Sequence, residues 1–141
     1  MTKILSIEGV DIQQKNYQQV IIRGDGKDQF NQSINKEASI LPPSNNLEVV
    51  INEKTLFAKQ SFNQWSLIYL VEQNHKDVLK FLSNVNSNDE ILASDYSYGQ
   101  VYFEISGKNK NEFLNKLTHF DLRIKKFPDL TMAQTLIARI D

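Results

Sequence analysis

The chain contains no cysteine. Disulfides, thiolate metal sites, iron–sulfur ligation and a cysteine nucleophile are therefore excluded, and a reducing, cytoplasmic location is the compatible expectation. There is no basic surplus either. Sixteen Lys and Arg stand against 17 Asp and Glu, a formal net charge of -1. Nothing in that balance neutralises a phosphate backbone, so nucleic acid is not an expected partner. No stretch approaches the roughly 18 apolar residues of a membrane-spanning helix, so no membrane partner is expected. The segment MTKILSIEGVDIQQK has one short apolar patch, broken by Glu8 and Asp11. It is too short for the apolar region of an export signal.

Reactive side chains are equally sparse. His75 and His119 are the only histidines, whereas a metal site usually draws on three or four converging ligands. His119-Phe120-Asp121 sets an imidazole near a carboxylate, but no Gly-x-Ser-x-Gly elbow supplies a nucleophile. Both histidines read as ordinary positions, His75 in the first turn of a helix and His119 near a helix end. Gly24-Asp25-Gly26-Lys27 resembles a phosphate loop only superficially. Asp28 stands where Ser or Thr would reach magnesium, and Asp25 and Asp28 repel phosphate. The segment reads as a turn before a helix. Arg23-Gly24-Asp25 is not taken as an adhesion motif. No catalytic, cofactor-binding or metal-binding residue is assigned.

What is present suits one domain over 1–141 with a real core: 40% of its 141 residues are hydrophobic and 23% charged. Tyr17 to Arg23 is a β-prone run ending in the turn at residues 23–26. Phe30 and Ile34 lie one helical turn apart within Lys27 to Ser39. Leu41-Pro42-Pro43-Ser44-Asn45-Asn46 reads as a loop. Leu47 to Ile51, Thr55 to Gln60 and Trp65 to Val71 read as strands, with Asn52-Glu53-Lys54 turning between the first two. Asn74 is placed to cap a helix whose apolar face carries Val78, Leu82 and Val85. Asn84 to Asp89 reads as a polar loop. Strands follow around Ile91 to Ala93 and Val101 to Ile105, then a helix with Phe113, Leu114 and Leu117. Phe127-Pro128-Asp129 is a turn, and Met132 to Ile140 reads as a closing strand. The fold class expected is α+β, with mixed or antiparallel sheet and flanking helices.

An internal repeat is visible. Ile22-Arg23-Gly24 aligns with Ile105-Ser106-Gly107, and the same offset pairs Lys27 with Lys110, Phe30 with Phe113 and Ile34 with Leu117. Both copies read strand, glycine turn, helix, then a Pro-containing loop. The possible repeat spans 18–86 and 101–141, the second copy being short. The alternative is that strand–turn–helix units share these features without duplication. Tyr96, Tyr98 and Tyr102, with Trp65, could stack a pterin or a base on a sheet face, or be core or subunit interface.

From Val20 onward the chain resembles the sarcosine oxidase gamma subunit family. The resemblance is carried by the strand and turn Val20 to Asp25, with Phe30 and the Leu41-Pro42-Pro43 loop with Asn45. In Ser61 to Leu67 the family has Gly-Pro-Asp-Glu-Trp-Leu-Leu, so Trp65 and Leu67 match. Asp95-Tyr96-Ser97-Tyr98 leads to Ile105-Ser106-Gly107, where the family has Asp-Val-Ser-Asp and then a strand ending in Ser-Gly-Pro. Phe120-Asp121-Leu122 mirrors a Leu-Asp-Leu pattern. Phe127-Pro128 and Ala133 to Ala138 are similar to the family's closing Ala-Gln-Thr-x-Leu-Ala strand. The similarity covers roughly 20–140.

The resemblance implies the folate-binding-domain fold of aminomethyltransferases and of the N-terminal part of tRNA-modifying GTPases. It implies a non-catalytic subunit of a heterotetramer with alpha, beta and delta subunits. That complex oxidatively demethylates sarcosine to glycine and passes the one-carbon unit to tetrahydrofolate. FAD, FMN, NAD and tetrahydrofolate belong to the partner subunits, and none is expected on this chain. Family members continue with a further strand and helix, so either truncation or a partner covering the sheet edge is expected. The alternative is a stand-alone, folate-binding, aminomethyltransferase-like protein, for which Asp95 is the carboxylate to watch. The related iron–sulfur and tRNA-modification factors carry Lys-Gly-Cys-Tyr-x-Gly-Gln-Glu, which a chain without cysteine does not match.

Overall fold

Leu5 and Ile7 alternate with polar neighbours ahead of Glu8-Gly9, and the backbone turns there with positive φ at both residues, 38° and 80°. This is the twist that a two-residue hairpin needs. It joins β1 (Ile4–Ile7) to β2 (Val10–Lys15), with Ile7 opposite Val10. The hairpin is absent from the expectations above. The computed structural model describes residues 4–135, and they divide into two compact units. Residues 4–16, 101–129 and 133–135 form the first; Tyr17–Gln100 with Leu130–Met132 form the second.

The second unit begins with β3 (Gln18–Arg23) and α1 (Asp28–Ala38). It continues through β4 (Val49–Ile51), β5 (Thr55–Ser61) and β6 (Gln64–Tyr69) to α2 (His75–Asn86), β7 (Leu92–Asp95) and one 3₁₀ turn at Ser97–Gly99. The strands form one antiparallel sheet in the order β4-β5-β6-β3-β7. Period-two alternation sends Val20, Ile22, Phe57, Trp65 and Leu67 to one face. There they pack with Phe30 and Ile34 of α1 and Val78, Phe81 and Val85 of α2.

The helix ends follow local chemistry. Asp25 Oδ1 accepts from the Lys27 amide (2.9 Å) and so shapes the entry to α1. Ser39 closes α1 in the left-handed conformation, φ 56°. Asn74 caps α2 by accepting from the Lys76 amide at 3.0 Å. Asn52 Oδ1 gathers the Lys54 and Thr55 amides and so makes the tight β4–β5 turn.

Both edges of this sheet are covered. The Asn86 side chain donates to the Ala93 carbonyl (2.9 Å) and accepts from its amide (2.7 Å), standing in for a strand beside β7. Leu130–Met132 runs along β4, with the Val49 amide donating to Leu130 and the Met132 amide to Leu47. The closing strand expected over Met132 to Ile140 reduces, within the described residues, to this short pairing at Thr131 opposite Glu48. Residues 136–140 lie outside the described residues.

In the first unit, β8 (Tyr102–Ser106) joins the hairpin in the order β1-β2-β8, all antiparallel, and α3 (Lys110–Asn115) follows. Leu117, expected within this helix, falls just after it. The apolar face of the three strands carries Leu5, Ile7, Val10, Ile12, Phe103 and Ile105; Phe113 of α3 lines a small pocket together with Ile7 and Val10. Gly107 is required at the strand exit: φ is 106°, and an added Cβ would stand 2.2 Å from the Gly9 carbonyl oxygen.

Candidate functional site

Trp65 is 1% exposed, its ring 4.6 Å from that of Phe30 and its indole N–H donating to the Pro43 carbonyl at 2.9 Å. It is a core anchor and not part of a stacking platform. Tyr98 is 89% exposed beyond β7, and Tyr102 belongs to the other unit. The Asp95 carboxylate accepts from the Ser97 hydroxyl (2.7 Å) and amide (2.9 Å), which commits one oxygen to holding the 3₁₀ turn.

The remaining sequence candidates fall in both units. His75 is exposed at the start of α2 and His119 is exposed in the other unit. Asp121 is gripped by Arg123 (2.6 Å at the closest), and those hydrogen bonds bring its carboxyl down to about 2. No such bond joins it to His119. Gly24 to Lys27 is a turn shaped by packing: a Cβ on Gly24 would run into the Phe30 ring, and one on Gly26 would press on Trp65. Asn31 Nδ2 donates to the Gly26 carbonyl and ties the turn to α1. Among the described residues no group of three or more His, Asp or Glu is placed to hold a metal ion, and no helix is long and apolar enough to cross a membrane.

A concave feature lies on the second face of the five-stranded sheet. A cleft of about 410 Å³ is walled by Val49, Ile51, Leu56, Ile68 and Met132. On its lining Gln19 Nε2 donates to Ser66 Oγ, both side chains being buried. Gln19, Gln60, Ser66 and Thr131 are the polar residues of its lining, which holds no acid, histidine or lysine to move a proton or activate a hydroxyl. The cleft suits packing of an apolar segment. The sequence reading missed this pair because Gln19 and Ser66 are 47 positions apart and each sits singly among apolar strand residues.

No protein-family model and no curated protein matches the sequence. Among solved structures, the fold matches a chain of heterotetrameric sarcosine oxidase from Corynebacterium sp. U-96, solved in complex with pyrrole 2-carboxylate. The TM-score is 0.79 at 16% identity, covering 93% of this chain and 67% of that one. The α+β architecture is thus shared with a chain of a multisubunit oxidoreductase.

Proposed function

We propose that this chain is the gamma-type, non-catalytic subunit of a heterotetrameric sarcosine oxidase. In that complex, alpha, beta and delta subunits carry FAD, FMN, NAD and tetrahydrofolate and demethylate sarcosine to glycine. The observation that carries the reading is the fold match over 93% of the chain; the sequence resemblance at Trp65 and Leu67 points the same way. The folate-binding-domain ancestry, the internal repeat and a cytoplasmic site of action belong to the same proposal.

The role is docking. A stable subunit contact buries on the order of 2,000 Å² or more. Exposed apolar side chains such as Phe62 at the β5–β6 hairpin tip (76% exposed) and Leu41 offer contact points. Co-expression of the tagged chain with sarcosine oxidase alpha, beta and delta subunits tests the reading. Stoichiometric co-elution supports it. Elution of the chain alone, while the other three assemble and oxidise sarcosine, removes it. Saturable micromolar binding of tetrahydrofolate by the isolated chain would favour a folate-binding protein instead.

A further inference from the structure

Leu130–Met132 lies along β4 at the edge of the five-stranded sheet, and the chain on either side of it, residues 101–129 and 133–135, belongs to the other compact unit. Two main-chain hydrogen bonds hold this strap. The Val49 amide donates to the Leu130 carbonyl and the Met132 amide to the Leu47 carbonyl, each at 2.9 Å. Between those bonds Glu48 stands opposite Thr131 in a single antiparallel bridge. No residue of the strap joins the buried cluster that α1 and α2 form with the opposite face of the sheet.

The attachment is also strained. Four non-glycine residues among the described ones have positive φ. Glu8 sits in a hairpin turn and Ser39 closes a helix, where that conformation is ordinary. The other two are Leu47 at 66° and Leu130 at 57°, and the left-handed region costs free energy for a bulky residue. Burial offsets little of that cost, since Leu47 is 43% and Leu130 57% exposed. These two leucines supply both carbonyls that accept the strap's hydrogen bonds. Strain and attachment are therefore released together.

We infer that Leu130–Met132 is a latch, which leaves β4 and recloses in one step while the five-stranded sheet stays folded. Closed, it satisfies the Val49 amide and the Leu47 carbonyl and walls the cleft with Leu130 and Met132. Open, it frees both groups and uncovers that wall. The latch thus governs when the β4 edge is bare. The inference goes beyond the subunit role and is read on the free chain.

Amide exchange followed by NMR on the full-length chain, in urea below the unfolding transition, tests it. The Val49 and Met132 amides are expected to show matching protection, at least about tenfold lower than that of the Ile22 amide in β3, with little dependence on urea, because opening so short a segment exposes little surface. Ile22 is the reference because β3 is paired on both sides, by β6 and β7. Glu48→Cys with Thr131→Cys supplies the second arm. The two flanking bonds make this the non-hydrogen-bonded type of pair, with Cα atoms about 4.5 Å apart, within reach of a disulfide. The chain has no other cysteine to compete. Oxidation is expected to raise the protection of Val49 and Met132 at least about tenfold over the reduced form. Protection equal to that of Ile22, with the same urea dependence, means that the strap leaves only when the sheet unfolds and overturns the inference. Unequal protection of Val49 and Met132 shows separate fraying and overturns it too, as does an oxidised variant that exchanges as fast as the reduced one. If the double variant does not fold, the urea dependence of the native chain decides alone.

Discussion

The Trp65 indole N–H and the Pro43 carbonyl are joined by a 2.9 Å hydrogen bond inside the core. The bond pins the Leu41 to Asn46 loop to the central region of the five-stranded sheet. Trp65→Phe keeps an aromatic body but leaves that carbonyl without its donor. It is expected to cost about 1–3 kcal/mol, and Trp65→Ala roughly 3–5 kcal/mol. Urea unfolding followed by circular dichroism checks both values, because the chain has no second tryptophan to report by fluorescence.

Gln19 and Ser66 predict a non-additive pair. Ser66→Ala removes the acceptor facing a buried amide and is expected to cost about 1–3 kcal/mol. Replacing both, as Gln19→Leu with Ser66→Ala, is expected to cost less than the two single changes summed, since the two side chains contact each other directly. Chemical denaturation of the four proteins closes the cycle.

Gly107 and Gly99 predict opposite outcomes for the same substitution. Gly107→Ala forces a Cβ toward the Gly9 carbonyl at positive φ and is expected to destabilise by about 1–3 kcal/mol or more. Gly99 has open space around it and an ordinary φ, so Gly99→Ala is expected to be neutral or slightly stabilising. Thermal melts of the two variants separate them.

Tyr69 predicts an alkaline limit. Burial pushes its phenol up to about 12 from the ordinary 10.0. The folded state thus holds the phenolic proton more tightly than the unfolded chain does. The associated stability is complete below pH 10 and is lost as pH rises toward 12. Unfolding free energy measured between pH 9 and 12 should fall for the native chain and flatten in Tyr69→Phe over this range, as far as this group contributes.

Much of the second unit was legible because its signals are local. Val20 and Ile22 within a β-prone run, Phe30 and Ile34 one helical turn apart, and Asn74 ahead of Val78 each specify an element through its own neighbours. The β1–β2 hairpin was not legible: Glu8-Gly9 lacks the Asn-Gly or Asp-Gly pair that marks such turns, and each strand contributes only two residues to its apolar face. The closing strand was expected from β-prone residues after Met132, but the short pairing at Thr131 depends on β4, more than 80 positions earlier. The Gln19–Ser66 contact was invisible for a similar reason. It arises from the register that sets Ile21 opposite Ser66 and Gln19 opposite Ile68, which no local pattern encodes.

The central claim is that this chain acts by joining a larger oxidoreductase and not by its own chemistry. Sedimentation velocity of the purified alpha, beta and delta subunits with and without the chain, coupled to sarcosine-dependent oxygen uptake, measures it most directly. The account predicts that the chain alone turns over no sarcosine, that it cosediments with the other three in equal proportion, and that full activity or stability of the assembly needs it. A chain that sediments as a free species beside a complete and fully active three-subunit enzyme contradicts the account.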